Sequence, residues 1–341
     1  MTTGAVECWG SNAYGQLGDG TTTSSATPVT VVGITDAVTV SAGEDHTCAV
    51  VTSGDVLCWG YNSNGQAGNM ATTVSQRLPV PVYGVVGATS VSAGHSHTCA
   101  VEASGRVLCW GYQGYGQLGN GVRIARGDQN PNLVAGLAPA FAVAANGNSS
   151  CAALIGGEAR CWGSGGSGQL GDGTYATFSL TPVAVIGLAD ATSISAGYSH
   201  ACARVVGGTV KCWGANNSGA LGNGVSDGSG SSSTAALVPG LTGVTAGGAG
   251  GTGACVRLTS GSARCWGWNY YGQLGNGTTT TSAVPVAVSG VSTAVGVSSS
   301  HLHACAVMAN GTVSCWGMNY YGQLGNSALS QSSTPVPVIG L

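Results

Sequence analysis

Cysteine and histidine are the residues of this chain best suited to chemistry, and both recur at a fixed spacing. There are 13 cysteines and 6 histidines in 341 residues. Twelve cysteines fall into pairs ten positions apart: Cys48 with Cys58, Cys99 with Cys109, Cys151 with Cys161, Cys202 with Cys212, Cys255 with Cys265, and Cys305 with Cys315. Cys8 is left over. A histidine stands two residues before four of these cysteines, at His46, His97, His200 and His303, and two more make His95-x-His97 and His301-x-His303. Residues of these types can ligate a metal, pair as nucleophile and base, or cross-link the chain.

The spacing separates these chemistries. Zinc knuckles place two to four residues between ligands, and Cys-x9-Cys does not; the His-x-His pairs leave only an adventitious metal site. A catalytic Cys/His pair needs a free thiolate, and each of these cysteines has a ready partner. The nine intervening residues centre on a Gly-containing turn, as at "SGD" 53–55. Residues equidistant from a hairpin turn face each other across two strands, close enough for a disulfide. Each such bond contributes roughly 2–3 kcal/mol in the chain-entropy model, and six of them imply an oxidising compartment: a secreted, extracellular or cell-surface protein. No catalytic residue, cofactor or metal ligand is expected, and the four repeated histidines read as structural.

The elements that hold these pairs repeat with them. Cys-Trp-Gly occurs seven times, with cysteines at 8, 58, 109, 161, 212, 265 and 315, at intervals of 50 to 53 residues. A few residues later comes Gly-Gln-Leu-Gly, intact at 15–18, 116–119, 168–171, 272–275 and 322–325 and altered at Ala67 and Ala220. Then follow a Ser/Thr-rich stretch, Pro-Val-x-Val as in "TPVTVVGI" 27–34, and "AVTVSAGEDHTCAV" 37–50. Each unit gives four short β-runs with period-2 alternation and no helical period. Seven units near 50 residues predict an all-β, seven-bladed β-propeller with four-stranded blades, one domain over 1–341. Trp9, Trp59, Trp110, Trp162, Trp213, Trp266 and Trp316 are expected to pack between blades, with Trp268 outside the register and exposed. The pattern lacks one pair of inner strands: no Cys-bearing partner precedes Cys8, and the sequence stops at "PVIGL" where the next would follow. One blade is therefore expected to be incomplete, with a free strand edge and Cys8 unpaired or linked to another molecule.

The combination SAGxxHTCAV…GxVxCWG…GQLG…PVxVxGL resembles the repeat of the regulator of chromosome condensation family, over essentially the whole chain. The resemblance implies the propeller. The family includes a chromatin-bound exchange factor for the GTPase Ran and a secreted inhibitor that caps β-lactamases, so it leaves function open.

Composition narrows the choice. Charged residues make up 6% of the chain and the net charge is −3, so no basic field exists for nucleic acid, and Ran-type exchange, which uses charged loops, is disfavoured. No run of 18 apolar residues predicts membrane insertion, and no basic-then-apolar leader is visible at "MTTGAVECWG". Arg126-Gly127-Asp128 matches an adhesion tripeptide but reads as an ordinary connecting loop, and 226–236 reads as a flexible insertion. Asn148, Asn216, Asn276 and Asn310 begin glycosylation sequons. Gly-Asp-Gly-Thr at 18–21 and 171–174 reads as a turn rather than a calcium cage. The expectation is a non-enzymatic extracellular protein that binds protein or itself, with a polymer formed through the incomplete blade as one form. A secreted binder or inhibitor is the alternative. A lyase-type propeller enzyme is the other, marked by unlike polar residues gathered at one channel mouth. Non-reducing peptide mapping should recover the six pairs as cross-linked peptides; free thiols at those twelve positions would remove both the bridges and the extracellular assignment.

Overall fold

The computed structural model describes residues 4–71, 73–226, 230–327 and 330–341. Glycine-punctuated β-runs leave no helix among the described residues, hence none long and apolar enough to cross a membrane. Blade 1 has two strands, β1 (Glu7–Gly10) and β2 (Ser25–Thr30). Blade 2 is a four-stranded antiparallel meander of β3 (Ala37–Ala42), β4 (His46–Val51), β5 (Val56–Tyr61) and β6 (Ser75–Pro81). Five more meanders of the same order follow, at 88–133, 140–184, 191–237, 244–287 and 294–337 (blades 3 to 7). Six full blades and one two-stranded blade make the seven-bladed propeller with one incomplete member.

The strands take their places by composition. The second strand of each blade is small and apolar, and in β4 every residue is buried. First strands of successive blades lie side by side around the axis, where Ser and Ala allow close approach. Ser hydroxyls there tie blade to blade: the backbone N–H groups of Ala93, Ala145 and Ala249 donate to Ser41, Ser92 and Ser195 of the preceding blade, each at 2.9 Å.

Between blades the tryptophans act as wedges. Trp59, Trp110, Trp162, Trp213, Trp266 and Trp316 are fully buried. Each indole N–H donates to a backbone carbonyl in the Gly-Gln-Leu-Gly loop of the preceding blade: Trp59 to Gln16, Trp110 to Gln66 and Trp162 to Gln117 at 2.9 Å, and Trp213 to Gln169 at 3.0 Å. Trp316 reaches Gln273 at 2.9 Å. Trp266 reaches Ala220 at 3.0 Å, so the altered repeat keeps its bond, because the acceptor is main chain. The loop's last glycine has no room for a side chain. At Gly18 and Gly68, both with positive φ, a Cβ would sit 2.8 Å from the indole nitrogen of the next blade. The seventh bond closes the circle: Trp9 of blade 1 donates to the Gln323 carbonyl of blade 7 at 3.0 Å.

Two expected surface features differ. Residues 227–229 of the 226–236 stretch lie outside the described residues, but Ser232–Leu237 forms the outer strand of blade 5; its Ser/Thr/Ala residues satisfy a sheet edge as well as a linker would satisfy solvent. Gly127 and Asp128 likewise open a strand (Gly127–Leu133), and the Asp128 carboxylate accepts from Asn130 and Asn132 at 3.0 Å, which folds the tripeptide into the blade.

Trp162→Ala is expected to cost about 3–5 kcal/mol, and Gly68→Ala to destabilise through both φ and the clash. Gln117→Ala should cost less, since the main-chain acceptor remains, as at Ala220, and only the side-chain bonds with Tyr115 N–H and Asn148 are lost. Denaturant unfolding of the three variants checks this ranking.

Candidate functional site

Three of the intact seams carry a second hydrogen bond beside the indole, donated by Thr47, Thr98 or Ser150, whereas the other three have Ala201, Ala254 or Ala304 at that position. In blade 3, Thr98 on the second strand donates its hydroxyl to the Gln66 carbonyl at 2.9 Å, and His46 Nε2 of blade 2 lies 2.8 Å from the same hydroxyl. A hydroxyl has one hydrogen, so His46 is the Nε2–H tautomer, donating to Thr98. The next seam repeats this: Ser150 donates to the Gln117 carbonyl at 3.0 Å and His97 Nε2 lies 2.9 Å from it. His200 reaches the Gly253 carbonyl at 3.1 Å instead. Burial holds these rings neutral, lowering His46 and His200 to about 4. His97 falls to about 3, through burial and then the neighbouring His46 and His95.

The disulfide positions lie one residue further along. Cys48 is bonded to Cys58, Cys99 to Cys109 and Cys151 to Cys161. Cys202 is bonded to Cys212, Cys255 to Cys265 and Cys305 to Cys315. These are the six pairs expected from the spacing. In each, the second-strand cysteine stands directly opposite the third-strand one in the sheet register, with Cα–Cα distances of 4.0–4.1 Å. The third-strand members Cys58, Cys109, Cys161, Cys212, Cys265 and Cys315 are all buried, each just before a seam tryptophan. Cys8 occupies the same register in blade 1 but is free and partly buried. Its thiol is pushed up to about 12 by burial, then by the Glu7 and Asp19 carboxylates, which keeps it protonated and a poor nucleophile.

The incomplete blade leaves a cleft of about 380 Å³ where first and second strands would stand, walled by residues including Cys8, Trp9, Val40, Thr47, His303 and Gln323. Trp9 is consequently only half-buried, unlike its six counterparts. Among the described residues β1 pairs with β2 alone, and its other edge has no strand partner.

A second cluster gathers at the channel mouth, where the turns between first and second strands converge. Glu44, His95, Tyr198 and His301 come from equivalent turn positions in blades 2, 3, 5 and 7. His95 Nε2 pairs with Glu44. The Tyr198 ring lies between His95 and His301, with centroids at 6.3 and 4.6 Å. Burial and then the Asp45 carboxylate raise the Tyr198 phenol. These residues fill the mouth by touching one another, and the cavity behind His301 and Trp268, about 20 Å³, holds no more than a water molecule. The two His-x-His pairs do not form ligand sets: His97 faces the seam while His95 faces the mouth. No cluster of three metal-ligating side chains occurs among the described residues.

From the mouth an aromatic sector extends over blades 6 and 7, on the face that carries the Gly-Gln-Leu-Gly loops. Trp268, half-buried, lies 6.3 Å from His301 and is stacked on Tyr270 at 6.1 Å. Tyr271 meets Tyr270 at 5.1 Å and Tyr320 at 5.7 Å, edge to face. Tyr270, Tyr320 and Tyr321 are 65%, 60% and 58% exposed.

Two features escaped sequence reasoning. An asparagine three residues after the tryptophan, Asn12, Asn62, Asn216, Asn269 or Asn319, is buried and accepts the N–H five residues on, at 2.8–2.9 Å; the Trp-Gly-x-Asn spacing in five repeats was the available signal. The mouth residues share one position, the first x of A-G-x-x-H for Glu44, His95 and Tyr198 and of S-S-x-x-H for His301, legible only once that position was known to face the axis. Asn216, a sequon residue, is fully buried with its amide bonded to Asn223 and Val225, closed to modification in the folded chain.

These seams and sheets define a class, the disulfide-bearing propeller built from repeats near 50 residues. The chain belongs to the Regulator of chromosome condensation (RCC1) repeat family, matching its repeat at 3–50, 53–101, 104–154, 157–204 and 260–307 and, in a second description of the repeat, at 37–66, 88–117, 191–220 and 294–323. It is 36% identical over 138 residues to the RCC1 domain-containing protein RUG3, mitochondrial, of Arabidopsis thaliana, covering 38% of this chain and 31% of that protein. It is 29% identical over 237 residues to the secretion-regulating guanine nucleotide exchange factor of Bos taurus, covering 61% and 50%. The chain spans half or less of these curated relatives. Among solved structures it is similar to human WBSCR16, with TM-score 0.87 at 21% identity over 98% of this chain and 94% of that one. It is also similar to yeast RCC1 (Prp20) bound to Kap60, with TM-score 0.85 at 17% identity over 97% and 83%. At these identities the structures share the fold alone.

Unfolding frees each buried histidine to take a proton at its ordinary 6.5, so below that pH unfolding takes up protons. Stability is therefore whole above pH 6.5 and falls as the pH drops toward 4, at about 1.4 kcal/mol per unit of depression for each ring. Denaturant midpoints between pH 7.5 and 4.5 should show the decline, and His97→Gln should flatten it.

Proposed function

We propose that the protein is a non-catalytic, extracellular or cell-surface binding module whose contact surface for another protein is the aromatic sector of blades 6 and 7. The observation that carries the reading is the aromatic group on a face of a sparsely charged ring, in which exposed Tyr270 and Tyr320 pack on half-buried Trp268 and Tyr271. Tyr and Trp supply large contact area at low entropy cost and dominate binding hot spots. The six disulfides support an oxidising setting. Protein binding agrees with what is recorded of relatives: yeast RCC1 is bound to Kap60, and Prp20p of Saccharomyces cerevisiae is described as binding Gsp1p and histones. The net charge of −3 does not suit nucleic acid, and a secreted binder or inhibitor is the form of the reading that fits best.

Two other readings are weaker. Polymerisation through the incomplete blade would require a copy to surrender a strand that is disulfide-bonded within its own sheet. Catalysis of lyase type is favoured by the polar mouth, but a substrate would have to displace Tyr198 from between His95 and His301.

The test is a photo-cross-linker placed in turn at position 270 and at position 155, where Ile155 is 70% exposed on the opposite face. With extracellular fluid from the native source, the partner should be captured from 270 alone. Against the purified partner, Tyr270→Ala with Tyr320→Ala should weaken binding by roughly 100-fold or more without changing thermal stability. Capture from both positions equally, or unchanged affinity of the double variant, would refute the assignment.

A further inference from the structure

The cleft in blade 1 is a mould whose missing contents can be read from the intact seams. In blade 2, His46 stands opposite Gly60, Thr47 opposite Trp59 and Cys48 opposite Cys58. The corresponding third-strand residues of blade 1 are Gly10, Trp9 and Cys8. A Cβ built on Gly60 would meet the His46 backbone at 2.7 Å, whereas at Gly10 the nearest atom is Gln323 at 3.4 Å; the space beside Gly10 is open. On the blade 7 side, the Gln323 carbonyl holds the Trp9 indole without the second-strand hydroxyl that Gln66 and Gln117 also accept. His303 is held at Nδ1 by Ser300, 2.8 Å away, and no described residue bonds its Nε2, the atom that meets that hydroxyl in the seams after blades 2 and 3. On the blade 2 side, Thr47 donates to the Gln16 carbonyl at 3.0 Å and has no histidine behind it, where Thr98 has His46.

We propose that this cleft is a docking site for a β-hairpin segment whose second strand reads His-(Ser/Thr)-Cys, and that it closes covalently on Cys8. The strand adds antiparallel to the free edge of β1. Its histidine donates Nε2–H to Thr47. Its hydroxyl donates to the Gln323 carbonyl and accepts from His303. Its cysteine falls opposite Cys8. The histidine and hydroxyl bonds have counterparts in the seams between blades 2, 3 and 4 and the cysteine has one in every full blade, which is why the site selects a sequence and not merely an extended backbone. The occupant is an unpaired polypeptide segment rather than a second folded copy, because the His-x-Cys strands of a folded copy are already cross-linked in their own sheets. The site is separate from the aromatic sector and stands without it.

The covalent step is thiol–disulfide exchange, with a low-molecular-weight disulfide as oxidant. The segment's cysteine enters as its mixed disulfide with glutathione. Cys8 gives up its proton to solvent and attacks the segment's sulfur; the new bond joins Cys8 to the segment, and glutathione leaves as thiolate and takes up a proton. Docking supplies the local concentration that an unreactive thiol requires.

A synthetic peptide with the sequence of 37–51, carrying glutathione on its single cysteine, tests this on the full chain. One peptide should add per chain, on Cys8, at least roughly tenfold faster than a scrambled peptide with the same modification. The Cys48→Ser peptide should bind reversibly to the wild-type chain and to Cys8→Ser. Its His46→Ala and Thr47→Val versions should each bind roughly tenfold more weakly, as for loss of a buried hydrogen bond. Equal rates for native and scrambled peptides would show mere thiol access and overturn the proposal. Affinity unmoved by the His46 and Thr47 changes, or a Cys8-linked dimer of the chain in place of the adduct, would do the same.

Discussion

The propeller depends on a hydrogen bond from an indole N–H to a main-chain carbonyl in the neighbouring blade. Seven tryptophans and seven loop carbonyls make seven such bonds, and the last joins residue 9 to residue 323. The rest follows from giving that bond room. The loop glycine is bare because a side chain would strike the indole. The buried asparagine pins the loop that offers the carbonyl. Thr98 and Ser150 donate to the same carbonyls as the indoles, and the histidines behind them, held neutral by burial, donate to those hydroxyls through Nε2.

Much of this was legible beforehand. Spacing and alternation give the four strands of each unit, because a two-residue period and glycine turns are local properties. Cys48 and Cys58 face each other for the same reason, as do Cys99 and Cys109 in the next blade. What stayed hidden was non-local. Nothing in the chain says that the fixed part of Gln66 is its carbonyl, and Ala220 looked like a defect until its backbone was seen to serve. Nor does sequence reveal that Glu44, His95, Tyr198 and His301, spread over more than 250 residues, meet on one axis. The stretch before Leu237 was misread because Ser, Thr and Ala suit an outer strand and a linker equally.

The fold and the proposed contact surface draw on different residues. Trp, Gln, Asn, Gly and His at fixed registers are consumed by the seams. The first x of A-G-x-x-H, or of S-S-x-x-H in blade 7, and the two residues before Gly-Gln-Leu-Gly project from the same face and bear no part of the architecture. They hold glycine or serine in some blades, and Tyr198, His301, Tyr270 and Tyr320 in others. The aromatic sector is thus a local enrichment at positions the ring leaves free, which is where a binding specificity can change without disturbing stability.

The cross-links run within blades and never between them. Each disulfide in blades 2 to 7 joins second strand to third, while the seams are held by indoles, hydroxyls and packing alone. Under tension applied at the two ends, the ring would therefore yield at its seams and release one repeat at a time. Each released repeat would stop short of full extension, since the bond bypasses the hairpin between its cysteines and withholds roughly 30 Å of contour. The protein is built as a chain of inextensible links joined by breakable couplings.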